Sequence, residues 1–506
     1  LKYNLIFPLF WVHFMKKIGI FIASEQKGFL IALADQIELL YNFKVVIIAR
    51  DKYVAELAHK ILPKGSSVTV VDHSKSIVSV PLDSALNEAT RIEGFYGVKI
   101  AMLLSEDRAL GQGYLSNVQK IPDIKRASWA YNKKIQFFVR DFIKTENILN
   151  GLDFIIQLWP NKIRTSICRK AGVKSLSFTA IKFGDRMFWS DDDYITSRKY
   201  IERVKKNSLN IDKKDIPQQY EIDGEANRIN KKVKYSYVSA FKEATKTIIN
   251  DSKNFIRGIN KKDSYHYLGW LPSNFRKIKN YKYVKNNSVT YSDVLKQKIV
   301  YFTLHLEPEV ALQQFSPEFG NSMEAIIWLS KSLPVNYILV VKEQVYSYGV
   351  RSKWYYNQLI KIPNVVLAHP DTDSWKWIEL SEIVATITGT VGQEAVHFEK
   401  PVISFGKHQI INHLPTVFFV SNYFETEISV NKIIKKPLSK VDYHQSRVAL
   451  LHAQLESSID IPEYKDAFKS VKLEASMAVK ALHNMSNEYP ELLPSEEVAC
   501  KISQVD

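Results

Sequence analysis

Short apolar runs alternate with amphipathic stretches over the first part of the chain. Ile18–Ala23 and Lys44–Ala49 have the length of strands, and Phe29–Tyr41 between them has apolar residues at helical spacing. Further strands are predicted at Val68–Val71, Phe154–Leu158 and Ser175–Phe178. Continuous apolar strands are typical of a parallel sheet covered by helices on both faces. The pattern therefore predicts a β-α-β arrangement.

A second β/α region begins near Lys298. Strands are predicted at Ile299–Leu304, Tyr337–Val341, Val365–Ala368, Ile383–Thr386 and Val402–Phe405, with helices at Ser322–Ser332 and Trp354–Ile360. Residues after about 425 have a helical pattern, and residues 200–290 show little strand pattern. The predicted divisions are an extension outside the fold (1–14), a first Rossmann-like domain (15–199), a basic helical insertion or linker (200–290), a second Rossmann-like domain (291–425) and C-terminal helices with a polar tail (426–506).

Composition narrows the class of protein. The 506 residues are 46% hydrophobic, which excludes an intrinsically disordered chain. The only cysteines, Cys168 and Cys500, exclude a disulfide scaffold and a Cys-based zinc site, and indicate a reducing, cytoplasmic setting. The apolar run Asn4–Phe14 is shorter than the ~20 residues that a membrane span needs. We therefore expect no membrane-spanning segment.

Positive charge is concentrated in one segment. The chain has a net charge of +16, and residues 251–290 contain nine Lys and Arg against two Asp, a net charge of +7. Aromatic residues lie among these cations. Such a pattern suits nucleic acid, through stacking and phosphate contacts, or an anionic membrane surface. A solvated basic helical face is an equally simple interpretation.

The most specific motif follows the predicted strand Ile383–Thr386. Thr388-Gly389-Thr390 leads into a predicted helix that carries Gly392 and Glu394. Hydroxyls and free N–H groups at a helix start suit a phosphate, and Glu394 can accept hydrogen bonds from ribose hydroxyls. A plain βαβ unit with a Thr N-cap and a glycine for close packing explains the same residues.

Several segments resemble the bacterial capsule polysaccharide synthesis protein family, which includes Kdo transferases. The family's nucleotide motif resembles Thr388–Gly406, and its other motifs resemble Tyr301–Glu309, Val341–Gln344, Phe183–Asp191 and Met15–Arg50. The resemblance implies the α/β GT-B architecture, with two Rossmann-like domains facing a central cleft. It also implies a nucleotide-activated donor, with CMP-Kdo or a related CMP-keto-sugar as the candidate. Gln344 stands where the family has His, which weakens any phosphate role there.

Donor binding then has a set of candidate residues. A GT-B site can meet the growing charge of the leaving nucleotide with hydroxyls, N–H groups and cations. The nucleotide-sugar candidates are Thr388, Gly389, Thr390, Gly392, Glu394, Lys342 and Glu307. His305 is a catalytic candidate, with a capped or core histidine as the alternative. No metal or cofactor is predicted, because the acidic run Asp191–Asp193 precedes a predicted helix, Tyr194–Val204, where Asp residues are expected.

The resemblance places the acceptor site and the nucleophile in the first domain. Asp107, or Glu106, is the nearest match to the acidic pair that retaining relatives use in covalent catalysis. Arg108 would keep that carboxylate ionised. Arg186 suits the carboxylate of a keto-acid sugar or of an acidic acceptor. The alternatives are a surface loop with a local ion pair of Asp107 and Arg108, and a structural salt bridge of Arg186 with Asp185 or Asp191.

The function implied is transfer of a sugar to a glycan or lipid-linked acceptor in capsule or lipopolysaccharide synthesis. Such an acceptor favours an anionic membrane surface as the partner of 251–290, so we expect a cytoplasmic protein that is peripheral on the inner membrane, and no nucleic acid. The alternatives are a UDP-sugar-dependent GT-B transferase and a sugar-nucleotide 2-epimerase. A nucleic-acid-binding protein without enzymatic activity is a third, which the motif at 388–394 disfavours.

Overall fold

The computed structural model describes residues 15–23, 27–50, 52–73, 80–106, 129–209, 236–256, 271–307, 310–461 and 475–493. These residues form two sheets of seven strands each, with helices between most successive strands. The predicted α/β class and its two Rossmann-like sheets are confirmed. The predicted extension 1–14 lies outside the described residues.

The first sheet is built mainly from the N-terminal part of the chain. Its strands are β1 (Lys17–Ile22), β2 (Lys44–Ala49), β3 (Thr69–Asp72), β4 (Phe154–Gln157), β5 (Lys174–Ala180), β6 (Arg186–Ser190) and β14 (Ile459–Asp460). Their order is β14-β6-β5-β4-β1-β2-β3, and the pairs β1–β2, β2–β3, β1–β4 and β4–β5 are parallel. All five strands predicted in this region are present.

The second sheet is parallel throughout. Its strands are β7 (Ser288–Val289), β8 (Lys298–Thr303), β9 (Tyr337–Lys342), β10 (Val365–Ala368), β11 (Ile383–Thr386), β12 (Val402–Ser404) and β13 (Val417–Phe419). Their order is β13-β12-β11-β8-β9-β10-β7, and each neighbouring pair is parallel. Strand β8 therefore lies between β9, which follows it in the chain, and β11, which begins the other half of the sheet.

Both faces of the second sheet are covered, as the continuous apolar strands predict. In β8, Ile299 and Tyr301 pack into one buried apolar cluster, and Val300 and Phe302 pack into another. Side chains alternate between the two faces of a strand, so the two clusters lie on opposite faces of the sheet. This double burial explains why β8 has no alternation of polar and apolar residues.

Helices fill the remaining described segments. In chain order they are α1 (Lys27–Tyr41), α2 (Lys52–Ile61), α3 (Leu82–Tyr96), α4 (Ile100–Glu106), α5 (Tyr131–Leu149), α6 (Lys162–Ala171), α7 (Arg198–Leu209), α8 (Tyr237–Ile256), α9 (Leu271–Asn286), α10 (Val310–Phe315), α11 (Met323–Ser332), α12 (Lys353–Ile360), α13 (Ser374–Leu380), α14 (Val391–His397), α15 (Tyr423–Lys435), α16 (Lys440–Ser457) and α17 (Ala475–Glu488). Short 3₁₀ helices cover Ser292–Val294, Val345–Gly349 and Ile410–His413. Among the described helices, none is long and apolar enough to cross a bilayer.

The described residues divide into two compact units. The first comprises those within 1–78, 144–179 and 459–506, and the second those within 79–143 and 180–458. In the first unit α17 packs against α1, and Lys16 Nζ donates to the carbonyl oxygens of Glu491 (3.0 Å) and Leu492 (2.8 Å). The C-terminal segment thus belongs to the same unit as the first strands of the chain.

The predicted helix Tyr194–Val204 begins four residues later than expected, at Arg198. The Asp192 carboxylate accepts hydrogen bonds from the backbone N–H groups of Tyr194 (2.9 Å) and Thr196 (3.0 Å), and from the Thr196 hydroxyl (2.6 Å). Asp residues compete in this way with helix formation by bonding nearby backbone groups. The edge or short strands β6, β7, β13 and β14 were not predicted either, because each has only two to five residues, too few to establish a period.

Candidate functional site

The predicted nucleotide motif lies at the topological switch point of the second sheet. Strands β9 and β10 continue from β8 in one direction, and β12 and β13 continue from β11 in the other. In open α/β sheets, ligands bind beyond the carboxyl ends of the two strands at such a point. His305 follows β8 and Thr388 follows β11, so two predicted site residues lie at this edge.

The loop after β11 is fixed by two hydrogen bonds from its backbone. The Thr388 N–H donates to His305 Nε2 (3.3 Å), and the Gly389 N–H donates to Thr386 Oγ1 (2.9 Å). Burial, together with the nearby Arg351 charge, lowers the pKa of His305 to about 3. The imidazole is therefore neutral at physiological pH, with Nε2 as an acceptor. This geometry gives His305 a positioning role, and its predicted catalytic role stays a prediction.

Two glycines of the motif allow this loop and α14 to approach the strand closely. A Cβ on Gly389 would lie 2.8 Å from Thr386 Oγ1. A Cβ on Gly392 would lie 2.6 Å from Ile411 Cδ1 and 2.9 Å from Thr386 Cγ2. All three distances are shorter than side chains tolerate, which explains the glycines by packing.

Polar side chains of the motif offer both donors and acceptors. The Thr388 Oγ1 atom is buried and has no hydrogen-bond partner among the described residues. Glu394 accepts hydrogen bonds from Trp375 Nε1 (3.2 Å) and from Thr390 Oγ1 (3.4 Å). Burial raises the pKa of Glu394 to about 7, although both hydrogen bonds oppose the shift. Near neutral pH this carboxyl therefore exists in both protonation states.

A buried ion cluster supports the loops after β8 and β9. Arg351 contacts the carboxylates of Glu307, with Nη2–Oε1 at 3.3 Å, and of Glu343, and it also donates to the His305 carbonyl oxygen. Glu307 also accepts hydrogen bonds from the backbone N–H (2.9 Å) and hydroxyl (2.6 Å) of Ser322. Glu307, predicted to bind nucleotide, is thus fully buried and held by protein groups.

Lys342 ends β9 and its side chain is buried. Its Nζ donates to the carbonyl oxygens of Pro370 (3.3 Å) and His369 (3.5 Å). Burial lowers its pKa to about 8, while the charges of Asp373 and Asp371 act in the opposite direction. The ammonium thus joins the end of β9 to the loop after β10.

The first-domain candidates are placed differently. Asp107 and Arg108 lie outside the described residues, and Glu106 is the last residue of α4. Arg186 begins β6, and its guanidinium donates to Ser458 Oγ (2.8 Å) and to the Ser458 carbonyl oxygen (2.7 Å). Arg186 therefore stabilises the carboxyl end of α16. Among the described residues, no hydrogen bond or ion pair joins Arg186 to the loop after β11.

Arg351, Trp375 and Ser322 were not predicted as site residues. Arg351 lies 46 positions from the His305 carbonyl that it contacts, so local spacing contains no signal for the pair. Trp375 could have been predicted more easily from the sequence, because it follows Asp373, whose side chain accepts hydrogen bonds at the start of α13. A polar residue before a helix at a strand's carboxyl end could have drawn attention to it.

A cavity and the spacing of potential metal ligands are the two remaining features that bear on a site. The first unit contains a cavity of about 560 Å³, lined by residues that include Lys52, His59, Asp72 and Lys144, and none of the predicted site residues lines it. Within the described ranges, no group of three or more His, Cys, Asp or Glu side chains lies close enough together to hold a metal ion.

Comparison with known proteins gives distant matches. No family model and no curated protein matches the chain. A putative UDP-N-acetylglucosamine 2-epimerase from Listeria monocytogenes is 10% identical with a TM-score of 0.28, covering 94% of this chain and 97% of the other. The Thermosulfurimonas dismutans KpsC beta Kdo 2,4 transferase is 10% identical with a TM-score of 0.32, covering 60% and 80%. A glycosyltransferase from Rickettsia africae is 10% identical with a TM-score of 0.28, covering 94% and 99%. Identities and scores this low do not identify a function.

Proposed function

We propose that this chain is a glycosyltransferase that uses a nucleotide-activated sugar. The observation that carries the proposal is the buried hydroxyl of Thr388, which has no hydrogen-bond partner among the described residues. It lies in the switch-point loop, two residues before Thr390, whose hydroxyl donates to Glu394 of α14. A buried polar group without a partner is costly. A ligand that accepts a hydrogen bond there would remove this cost.

Thr388 in the loop and Glu394 in α14 have different roles in donor binding. The Thr388 hydroxyl donates to a phosphate oxygen, where negative charge grows as the glycosidic bond breaks. The Glu394 carboxylate accepts hydrogen bonds from ribose hydroxyls. A hydrogen-bond donor such as the Thr388 hydroxyl can stabilise this charge without a metal ion, so the proposal includes metal-independent transfer. The donor proposed is a CMP-linked keto-acid sugar such as Kdo, and the acceptor is a glycan or lipid-linked saccharide of a bacterial surface polysaccharide.

The proposed chemistry is a double displacement through Asp107 or Glu106. The carboxylate attacks the anomeric carbon, a carboxylate–sugar ester forms, and the nucleotide leaves with the bonding electrons of its glycosidic bond. An acceptor hydroxyl then attacks the anomeric carbon, its proton passes to solvent water, and the bond from that carbon to the carboxylate breaks, with overall retention. Arg108 keeps the nucleophile ionised. We expect an adduct on Asp107 by mass spectrometry, and full activity of Asp107→Ala would end this part of the proposal.

Nucleotide binding tests the donor assignment. We expect CMP to raise the melting temperature of the full chain and UDP and GDP to have smaller effects. A ligand at 100 times its Kd stabilises the native state by about 2.7 kcal/mol, which is a shift of roughly 4 °C for a cooperative unit of about 340 residues, the size of the second unit. Stabilisation by UDP without CMP would overturn the keto-sugar assignment.

Two outcomes separate this proposal from its alternatives. Turnover of UDP-N-acetylglucosamine with no acceptor present would assign a 2-epimerase. If no nucleotide shifts the melting temperature, the switch-point loop is not a nucleotide site. The matched control for Glu394→Gln is Glu379→Gln. Glu379 is a half-exposed carboxylate on α13 paired with Lys376 (2.8 Å), so its change should leave nucleotide binding unaltered.

A further inference from the structure

Helix α8 presents an apolar face on the surface of the molecule. Val238 is 66% exposed, Phe241 62% and Ile256 80%, and Ile248 and Ile249 are exposed as well. At about 100° per residue, all five side chains project within a sector of about 100°. From Val238 to Ile256 the face is about 27 Å long, because a helix rises about 1.5 Å per residue.

The other side of α8 is held by α9. Ala240 and Ala244 are buried in this contact. Lys277 Nζ lies 3.3 Å from Glu243 Oε2, and Lys282 lies over the Tyr237 ring at 4.7 Å from its centroid. The Phe241 ring also meets the Phe275 ring of α9 edge to face, with the centroids 5.4 Å apart, and remains exposed at the edge of this contact. These contacts fix the rotation of α8 and hold its exposed apolar side chains outward.

Lysines line one edge of this face. The helical angle places Lys242, Lys246 and Lys253 together along one flank, and all three are exposed. Glu243, the nearby acid, is already paired with Lys277. The two helices together contain eight Lys and Arg against two acidic residues. An apolar sector flanked by cations is the pattern of a helix that lies in a membrane interface.

We propose that the outer face of α8 (Val238, Phe241, Ile248, Ile249 and Ile256) docks onto an anionic lipid bilayer. The apolar side chains enter the boundary between headgroups and acyl chains, and the lysines contact anionic headgroups. An antiparallel pair of α8 helices complements this face less well, because its two-fold axis brings the two lysine rows to the same side of the pair. Four of these five residues precede segment 251–290 in the sequence, whereas the sequence predicts membrane contact from that basic segment itself.

Vesicle sedimentation of the full chain tests this proposal. We expect binding to phosphatidylcholine vesicles that contain phosphatidylglycerol, at least tenfold weaker binding to phosphatidylcholine alone, and loss of that difference at about 1 M salt, where the Debye length is about 3 Å. Ile249→Ser with Ile256→Ser should weaken binding at least tenfold, and it leaves the contact between Phe241 and Phe275 intact. Lys242→Gln, Lys246→Gln and Lys253→Gln together should weaken it only for anionic vesicles.

Controls keep the outcomes distinct. Val335→Ser changes a fully exposed apolar residue in another part of the second unit and should leave vesicle binding unchanged. Wild-type protein that fails to bind anionic vesicles would overturn the proposal. A wild-type dimer that Ile249→Ser with Ile256→Ser dissociates would also overturn it and assign the face to self-association. Nucleotide-induced shifts in melting temperature should be the same in all these variants, so failure here and failure of the transferase proposal are separate results.

Discussion

Replacing Arg351 with Met tests the buried ion cluster beside the candidate site. The guanidinium is fully buried and contacts Glu307 at 3.3 Å and Glu343. At an effective dielectric constant of about 20, two unit charges at this separation attract by about 5 kcal/mol. Removing one partner of a buried ion pair costs about 3–5 kcal/mol, because it leaves a charge without compensation. We expect Arg351→Met to lower the free energy of unfolding by that amount.

Arg447→Met is a matched control for this experiment. Arg447 also contacts a carboxylate at 3.3 Å, that of Glu399, but both side chains are 34% exposed. Water screens such a pair, so we expect a loss of about 0–1 kcal/mol. Urea unfolding followed by tryptophan fluorescence measures both variants against wild type. If Arg351→Met costs no more than Arg447→Met, the cluster does not support this part of the fold.

The pH dependence of the Arg351→Met deficit adds a second test. Burial raises the pKa of Glu343, and the Arg351 charge opposes that rise in the wild-type protein. Without Arg351, the folded-state pKa of Glu343 rises further above its unfolded value. An acid shifted in this direction destabilises the fold at pH values above its folded pKa, and the penalty disappears as pH falls below its unfolded pKa. We expect the deficit to be larger at about pH 8 than at about pH 5, and a constant deficit would contradict this reasoning.

Three further changes test the candidate site. Glu394→Gln should weaken nucleotide binding roughly tenfold or more, since a hydrogen bond to a charged group is worth about 1.5–3 kcal/mol. In calorimetry, the nucleotide affinity of the wild-type protein should rise with pH through about 7, where Glu394 ionises, and the affinity of the variant should not change with pH in this range. Gly392→Ala should cost about 1–3 kcal/mol by overpacking against Ile411, whereas Gly94→Ala, in a helix with nothing within 4 Å, should stabilise by about 0.5–1 kcal/mol. Arg186→Ala should lower stability by about 1–3 kcal/mol through the lost bonds to α16, and equal nucleotide affinity in calorimetry would separate this role from donor binding.

The sheet strands could be predicted because their burial is continuous along the chain. Lys44–Ala49, Val365–Ala368 and Ile383–Thr386 have the predicted bounds. The same local signal predicts the loop after β11, since its hydroxyls and glycines follow a strand directly. What could not be predicted is which distant side chains meet that loop. His305 reaches Thr388 across 83 positions, and its pKa depends on burial and on the charge of Arg351. Periodicity and spacing along the chain show neither the burial of His305 nor its distance from Arg351.

The charges of the candidate site lead to a different view of donor binding from the one that composition suggests. His305 is neutral, Glu394 is only partly ionised near neutral pH, and the ammonium of Lys342 donates to backbone carbonyls. The Arg351 charge is compensated by two carboxylates. A nucleotide phosphate at this edge would therefore meet mainly neutral hydrogen-bond donors, such as the Thr388 hydroxyl, and few unpaired cations. Part of the net charge of +16 lies instead at the surface, where three lysines of α8 (Lys242, Lys246 and Lys253) and three of α9 (Lys279, Lys282 and Lys285) are exposed.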